Sequence, residues 1–169
     1  ETEPAAGGSM SCVSVNGKYL GCLCFGDTVR ENAAESIRDL RAAGITQTVM
    51  LTGDREAPAR AICDAVGIDV LYAGLLPEDK YDHMRRLKCE HHVLAVGDGI
   101  NDALALIEAD VGVAMGAMGS DLAIQSADIA LMNNNLENIP FAVRLARRTR
   151  RTIYQNLALS IGISACMIG

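Results

Sequence analysis

The sequence predicts an α/β fold on a mostly parallel sheet, and three observations carry that prediction. Helix-like and strand-like segments alternate from Glu31 to Met132. The apolar run His92-Val93-Leu94-Ala95 leads through Val96-Gly97-Asp98-Gly99-Ile100-Asn101-Asp102 into Ala103-Leu104-Ala105-Leu106, which reads as strand, acidic glycine-rich loop and helix. A second strand pattern, Thr48-Val49-Met50-Leu51, ends in Thr52-Gly53-Asp54 and precedes a helical segment that stops at Gly67.

The first element is a hairpin. Val13 to Leu20 carries Asn16-Gly17, the strongest short signal for a type I′ turn, and the second arm runs on to Phe25. Helices are then expected over Glu31–Ala43, Ala57–Val66, Glu78–Lys88, Asn101–Glu108 and Asp121–Ser126. Strands are expected over Thr48–Leu51, Val70–Ala73, His92–Val96, Val111–Ala114 and Ile129–Met132. Pro77 starts its helix, with Glu78 and Asp79 favourable in the first turn. From Leu136 one long helix follows, with Ile139, Val143, Ala146 and Ile153 tracking one face. Arg144, Arg147, Arg148, Arg150 and Arg151 form a cationic band on it, and Leu157 to Ile168 is almost wholly apolar. That run is too short to span a bilayer, so it is either a buried core helix or the first half of a membrane helix with its arginines at the cytoplasmic flank.

At 169 residues the chain is long enough for one domain with a real core. The formal charge of −6 and the lack of a broad basic face argue against nucleic-acid binding. Glu1 to Ser11 is small and polar and is expected to be a disordered segment or linker. The six cysteines, Cys12, Cys22, Cys24, Cys63, Cys89 and Cys166, show neither disulfide-scaffold density nor four-ligand zinc spacing, and scattered thiols suit a reducing cytosol. Cys22 and Cys24 share one strand face, where they read as core fillers rather than as metal ligands. His91 and His92 at a strand start point to opposite faces, which disfavours joint ligation of one metal.

The chemistry concentrates in three loops. Gly97 and Gly99 allow a tight turn and close approach of a ligand to the backbone. A helix N-terminus after a parallel strand favours an anion, and Asp98 and Asp102 beside it would repel that anion unless a hard cation such as Mg²⁺ sat between them. The plain reading of this loop is a turn with a helix cap. Thr52 and Gly53 offer a hydroxyl and an amide to a phosphate oxygen, or Thr52 and Asp54 simply cap the next helix. In Gly74-Leu75-Leu76-Pro77-Glu78-Asp79-Lys80, Lys80 opposes the helix dipole; it is a solvated surface lysine or a point charge aimed at phosphate.

In this order, T-G-D at Thr52–Asp54, G-x-x-P-x-x-K at Gly74–Lys80 and G-D-G-x-N-D at Gly97–Asp102 resemble the phosphorylation domain of P-type cation-transporting ATPases, within the haloacid-dehalogenase-like fold. Asp27-Thr28-Val29-Arg30 is similar to the family's D-x-x-R, and Gly112–Gly116 with Asp121, Ala127 and Asp128 is similar to the segment after its Mg²⁺ loop. The resemblance covers roughly residues 19–160. It implies a three-layer Rossmann-like domain over residues 12–152 and the start of a transmembrane helix over residues 153–169. It further implies Mg²⁺ and ATP as cofactors of a complete pump. Asp98 would ligate Mg²⁺, Asn101 would hold a phosphate oxygen, and Asp102 would orient the loop or join the Mg²⁺ site. Thr52, Gly53 and Asp54 would bind phosphate, Lys80 would neutralise developing charge, and Asp27 and Arg30 would form a hinge at the mouth of the domain. The implied partners are nucleotide-binding, actuator and membrane domains and a divalent or soft metal ion, with this domain facing the cytoplasm.

The family's catalytic aspartate lies in D-K-T-G-T, which does not occur here. The chain is therefore expected to be a pump fragment that holds the Mg²⁺ and phosphate grips without the nucleophile. The strand bearing that motif is expected to be missing between the strands ending at Thr52 and Val96. Leu131-Met132, Leu136-Glu137, Ile139-Pro140-Phe141 and Gln155-Asn156-Leu157 look most like the heavy-metal subgroup with a zinc/cadmium flavour; Ser164 after Gly162-Ile163, where that flavour carries Lys, leaves copper, manganese or another soft or borderline ion open. A stand-alone phosphatase of the same fold and a non-catalytic Mg²⁺- or phosphate-binding module are the other two readings.

Overall fold

The computed structural model describes residues 9–25, 28–98, 102–116 and 121–168. It opens with an antiparallel hairpin, β1 (Ser9–Val15) and β2 (Lys18–Phe25). Asn16 and Gly17 have φ of 49° and 76°, the paired positive values of a type I′ turn. The first arm begins at Ser9 rather than after Ser11, because Ser9, Met10 and Ser11 find ladder partners in Phe25, Cys24 and Leu23.

The chain then runs through α1 (Ala33–Ala42), β3 (Val49–Leu51), α2 (Glu56–Val66), β4 (Val70–Tyr72), α3 (Pro77–Glu90), β5 (Leu94–Gly97), α4 (Ala103–Glu108), β6 (Val111–Met115), α5 (Asp121–Ser126), β7 (Ile129–Leu131) and α6 (Asn138–Ile168). Every expected element is present. β5 starts at Leu94 rather than His92, since His91 is the C-cap of α3. The His91-His92 pair thus lies outside the strand, and the His92 side chain is fully exposed.

The strands form two parallel groups, β3–β4 and β5–β6–β7, with α2, α4 and α5 as the crossovers within them. Among the described residues, β3 and β5 each have a ladder partner on one side only. Val96 of β5 is 41% exposed, unusual for a parallel strand, which normally has both faces covered. The core lies over β5 and β6: Met84, Ala95, Ala105, Leu106, Ala109 and Ala114 are buried together, and Leu51 of β3 packs against them. Small alanines here let α4 sit close on the sheet while Leu106 fills the interior.

The N-terminal edge of the sheet is held by one repeated device. Asp69, Asp110 and Asp128 stand immediately before β4, β6 and β7. Asp69 Oδ2 accepts from Thr48 N–H (2.8 Å) and Thr48 Oγ1 (2.7 Å). Asp110 Oδ2 accepts from Val93 N–H (2.8 Å), and Asp128 Oδ2 from Gly112 N–H (2.8 Å). Each carboxylate satisfies a backbone donor at or just before the start of the neighbouring strand.

α6 is docked only by its first part. Ile139 is buried, and Pro140 sits in the first turn, where its missing N–H costs nothing. Arg144 pairs with Asp39 of α1 (2.8 Å), and Arg147 donates to the Gly44 carbonyl beyond the end of α1 (3.2 Å). From Arg144 through Met167 every residue is exposed, so the expected apolar face over Ala146 and Ile153 is not covered; Ile153 is 59% exposed. The buried-core reading of Leu157–Ile168 is likewise overturned for 157–167, with Leu157, Leu159, Ile161 and Ile163 all exposed. Among the described residues, no helix is long and apolar enough to cross a membrane. The core-filler reading of Cys22 also fails: its side chain is exposed, as are Val13, Tyr19, Leu20 and Leu23, because the hairpin has both faces open.

Candidate functional site

The three motif loops meet at the C-terminal ends of β3, β4 and β5, the edge where open α/β sheets bind ligands. The loops after β3 and β4 are joined by their backbones. Thr52 N–H donates to the Tyr72 carbonyl (3.0 Å), Leu75 N–H to the Thr52 carbonyl (3.0 Å) and Gly74 N–H to the Asp54 carbonyl (2.8 Å). A Cβ on Gly53 would stand 3.2 Å from the Leu75 carbonyl oxygen, so this approach leaves little room for a side chain. Thr52 Oγ1 donates to Asp54 Oδ2 (2.8 Å) and accepts from Asp54 N–H (3.1 Å). The hydroxyl thus closes its own turn. It does not cap α2, whose N-cap is Arg55 with no side-chain cap bond.

Pro77 opens α3, and Asp79 Oδ2 accepts from Leu76 N–H (2.9 Å), which fixes the first turn. The Tyr72 ring at the end of β4 lies 4.3 Å, centroid to centroid, from His83 one turn further along α3. These contacts aim Lys80 at the third loop. Its Nζ lies 2.6 Å from Asp102 Oδ1, with side-chain exposures of 15% and 27%. Asp102 occupies the N-cap position of α4 but makes no side-chain cap bond, so the plain capping reading of this aspartate fails. Lys80 is neither a solvated surface lysine nor an unpaired charge. A Cβ on Gly97 would sit 3.0 Å from both Cβ and Oδ2 of Asp102; the glycine makes room for the aspartate to fold back toward Lys80.

Asp98 follows directly on β5 and is exposed at the same sheet edge. Asn101 and Asp27 lie outside the described residues. Among the described residues, no group of three or more His, Cys, Asp or Glu side chains is assembled.

Arg30 is anchored elsewhere. It donates to the Asn134 carbonyl (2.9 Å) in the turn after β7, and Asn32 Nδ2 donates to Asn135 Oδ1 (2.9 Å). Asn138 at the start of α6 donates to Asn133 Oδ1 (2.8 Å). This clasp ties the segment before α1 to the start of α6. The Asn133-Asn134-Asn135 run carries turn composition in sequence, but nothing local gives its partner a hundred residues away.

A family model described as haloacid dehalogenase-like hydrolase matches residues 5–110. The chain is 41% identical over 165 residues to the "Cadmium, zinc and cobalt-transporting ATPase" of Bacillus subtilis (strain 168), covering 95% of this chain and 24% of that protein. It is 44% identical over 159 residues to the "Copper-exporting P-type ATPase" of Staphylococcus haemolyticus (strain JCSC1435), covering 94% and 20%. Among solved structures, a zinc-transporting PIB-type ATPase superposes with a TM-score of 0.78 at 41% identity, covering 93% of this chain and 26% of that one. The chain thus spans about a quarter of the length of the relatives it matches.

Proposed function

Because this chain belongs to the haloacid dehalogenase-like hydrolase family, with strong similarity to zinc-, cadmium- and copper-transporting P-type ATPases, we propose that it serves as the Mg²⁺- and phosphate-gripping part of the phosphorylation domain of such a pump. The observation that carries this reading is the Lys80–Asp102 contact, which joins the motif loops after β4 and β5 across the two parallel groups (2.6 Å).

In the proposed mechanism Thr52 and Gly53 bind the transferred phosphoryl group through hydroxyl and amide, and Asn101 holds a further oxygen. Lys80 supplies positive charge to the phosphoryl oxygens, and Asp102 sets the position of that ammonium. Asp98 would ligate Mg²⁺, which when bound neutralises charge between phosphate and carboxylate. Asp27 and Arg30 form the hinge, with the asparagine turn carrying the connection toward α6. P-type ATPases generally use ATP and Mg²⁺, and here both act in the complete pump. We place α6 from Leu157 onward in the cytoplasmic half of a membrane span, with the domain facing the cytoplasm. The actuator, nucleotide-binding and membrane domains are its partners. The cargo is a divalent or soft metal ion, zinc or cadmium favoured.

Titrating Mg²⁺ in the presence of a phosphate analogue tests the site: the chain should respond, and Asp98→Ala should not. Residues 1–169 alone should form no acid-stable, hydroxylamine-labile phosphoenzyme from ATP, since they hold no D-K-T-G-T. A phosphoenzyme lost in Asp27→Asn, or turnover of a generic phosphate ester, would replace the pump reading with that of a stand-alone phosphatase. The one-sided edges of β3 and β5 are where the D-K-T-G-T strand is proposed to insert. Adding that strand as a peptide should raise the melting temperature, and an unchanged melt would remove it from this gap.

A further inference from the structure

We propose that Cys12 and Cys22 form a surface site for a soft d¹⁰ cation, Cu(I), Zn²⁺ or Cd²⁺, on the hairpin. The inference stands on hairpin register and does not depend on the pump reading.

An unbroken ladder from the Asn16–Gly17 turn would set Cys12 against Gly21 and Cys22 against Ser11. The observed ladder runs Val15↔Lys18, Ser14↔Tyr19, Val13↔Gly21 and Cys12↔Cys22. One residue of β2, Leu20, has no rung, and this bulge moves the register by one. The two thiols are thereby brought opposite each other.

Residues directly opposite in an antiparallel pair share a face, with Cβ atoms about 5 Å apart. Zinc–thiolate bonds of about 2.3 Å meeting at a tetrahedral angle span about 3.8 Å between sulfurs, within reach of such a pair. Soft thiolate donors select Cu(I) and Zn²⁺ over hard cations. Both side chains are exposed free thiols, so a solvated ion can reach them. Among the described residues no ready cluster of three His, Cys, Asp or Glu ligands exists, so the pair completes its coordination with water or a further sulfur.

The other thiols serve as internal controls. Cys63 is buried with its Sγ 3.6 Å from Met50 Sδ, whereas Cys89 and Cys166 are exposed on α3 and at the end of α6. Binding replaces two S–H bonds by two metal–sulfur bonds and releases two protons to solvent.

The full chain, kept reduced and anaerobic, is titrated with Cd²⁺ while the thiolate-to-metal charge-transfer absorption is followed. One Cd²⁺ per chain is expected. Cys12→Ser and Cys22→Ser should each weaken binding by at least about tenfold with unchanged far-ultraviolet circular dichroism, and the Cys89→Ser/Cys166→Ser double variant should bind as the parent does. Independently of any variant, phenylarsine oxide condenses with two neighbouring thiols, forming two As–S bonds and releasing water. Peptide mapping should find Cys12 and Cys22 in one adduct. Absorption that survives Cys12→Ser would place the metal on Cys22 and Cys24 alone and overturn the site. So would loss of absorption in the Cys89/Cys166 variant, an adduct lacking Cys12, or no charge-transfer band in the parent.

Discussion

The two ends of the parallel strands use the same residue type in different ways. At the N-terminal edge, Asp69, Asp110 and Asp128 each accept a backbone N–H from the neighbouring strand. At the C-terminal edge, Asp54 is engaged by its own loop, Asp102 faces Lys80, and Asp98 is exposed. An aspartate spent on a backbone donor is a strand clamp, since its charge is already solvated by protein. Among the described residues, the Asp54 and Asp102 carboxylates have no such bond to a neighbouring strand; Asp54 accepts from the Thr52 hydroxyl and Asp102 faces the Lys80 ammonium. What separates the two sets is a cross-strand backbone bond, not residue type or place beside a strand.

The largest expected effect breaks this comparison at Lys80. Lys80→Ala leaves the Asp102 carboxylate, 27% exposed, without its ammonium. Removing one partner of a partly buried charge pair should destabilise the fold by about 1–3 kcal/mol, read from the urea midpoint. Phosphate-analogue affinity should fall about tenfold or more with the loss of a charge-assisted contact. Asp102→Asn keeps the shape and tests whether the pair acts as a unit. A double-mutant cycle over Lys80 and Asp102 should show coupling on the order of 1 kcal/mol, and strict additivity would mean that the two act separately. Asp98→Ala comes next: it should abolish the Mg²⁺ response while moving the melting temperature by no more than a degree or two, as usual for an exposed position. A large loss of stability in Asp98→Ala would put that aspartate among the clamps.

Much of this arrangement is legible in sequence, and the rest fails for a physical reason. Thr48–Leu51, Pro77 with Glu78 and Asp79, and Asn16-Gly17 are local signals, and each reports the element it forms. The motif loops are legible because Gly97 and Gly53 sit where strand ends require close approach. What escapes is pairing. Lys80 and Asp102 are 22 residues apart, and Arg30 and Asn134 are 104 apart. The Leu20 bulge has only a weak local signal, the strand-interior Gly21, which marks a place where a bulge is tolerated but does not fix the register. The same blindness hid the clamps: an aspartate before a strand looks like turn composition until the neighbouring strand supplies an N–H. It also produced the wrong environment for Cys22 and the over-extended apolar face on α6. A two- or four-residue period marks which side chains align, not whether anything covers them.

The smallest expected effect sharpens the comparison from the clamp side. The Asp69 pKa is lowered from its ordinary 3.8, chiefly by the Thr48 hydroxyl bond, then by the Thr48 N–H, with Arg41 adding to it at 2.6 Å. A carboxyl whose folded pKa is depressed binds protons more weakly folded than unfolded. Its stabilising contribution is therefore complete above the unfolded value near 3.8 and is lost as pH falls through the lower folded value. Asp69→Asn, which cannot ionise, should be less stable than the parent at neutral pH, and the gap should close below pH 3.8. Urea midpoints for both proteins across the acid range provide the measurement. Because the side chain is 39% exposed and the Arg41 pair lies at the surface, added salt should trim the gap only in part, leaving what the two Thr48 hydrogen bonds contribute. A gap that stays constant down to acid pH would show that Asp69 clamps through shape and neutral hydrogen bonding alone. A gap that vanishes in high salt at neutral pH would assign the clamp to Arg41 instead of Thr48.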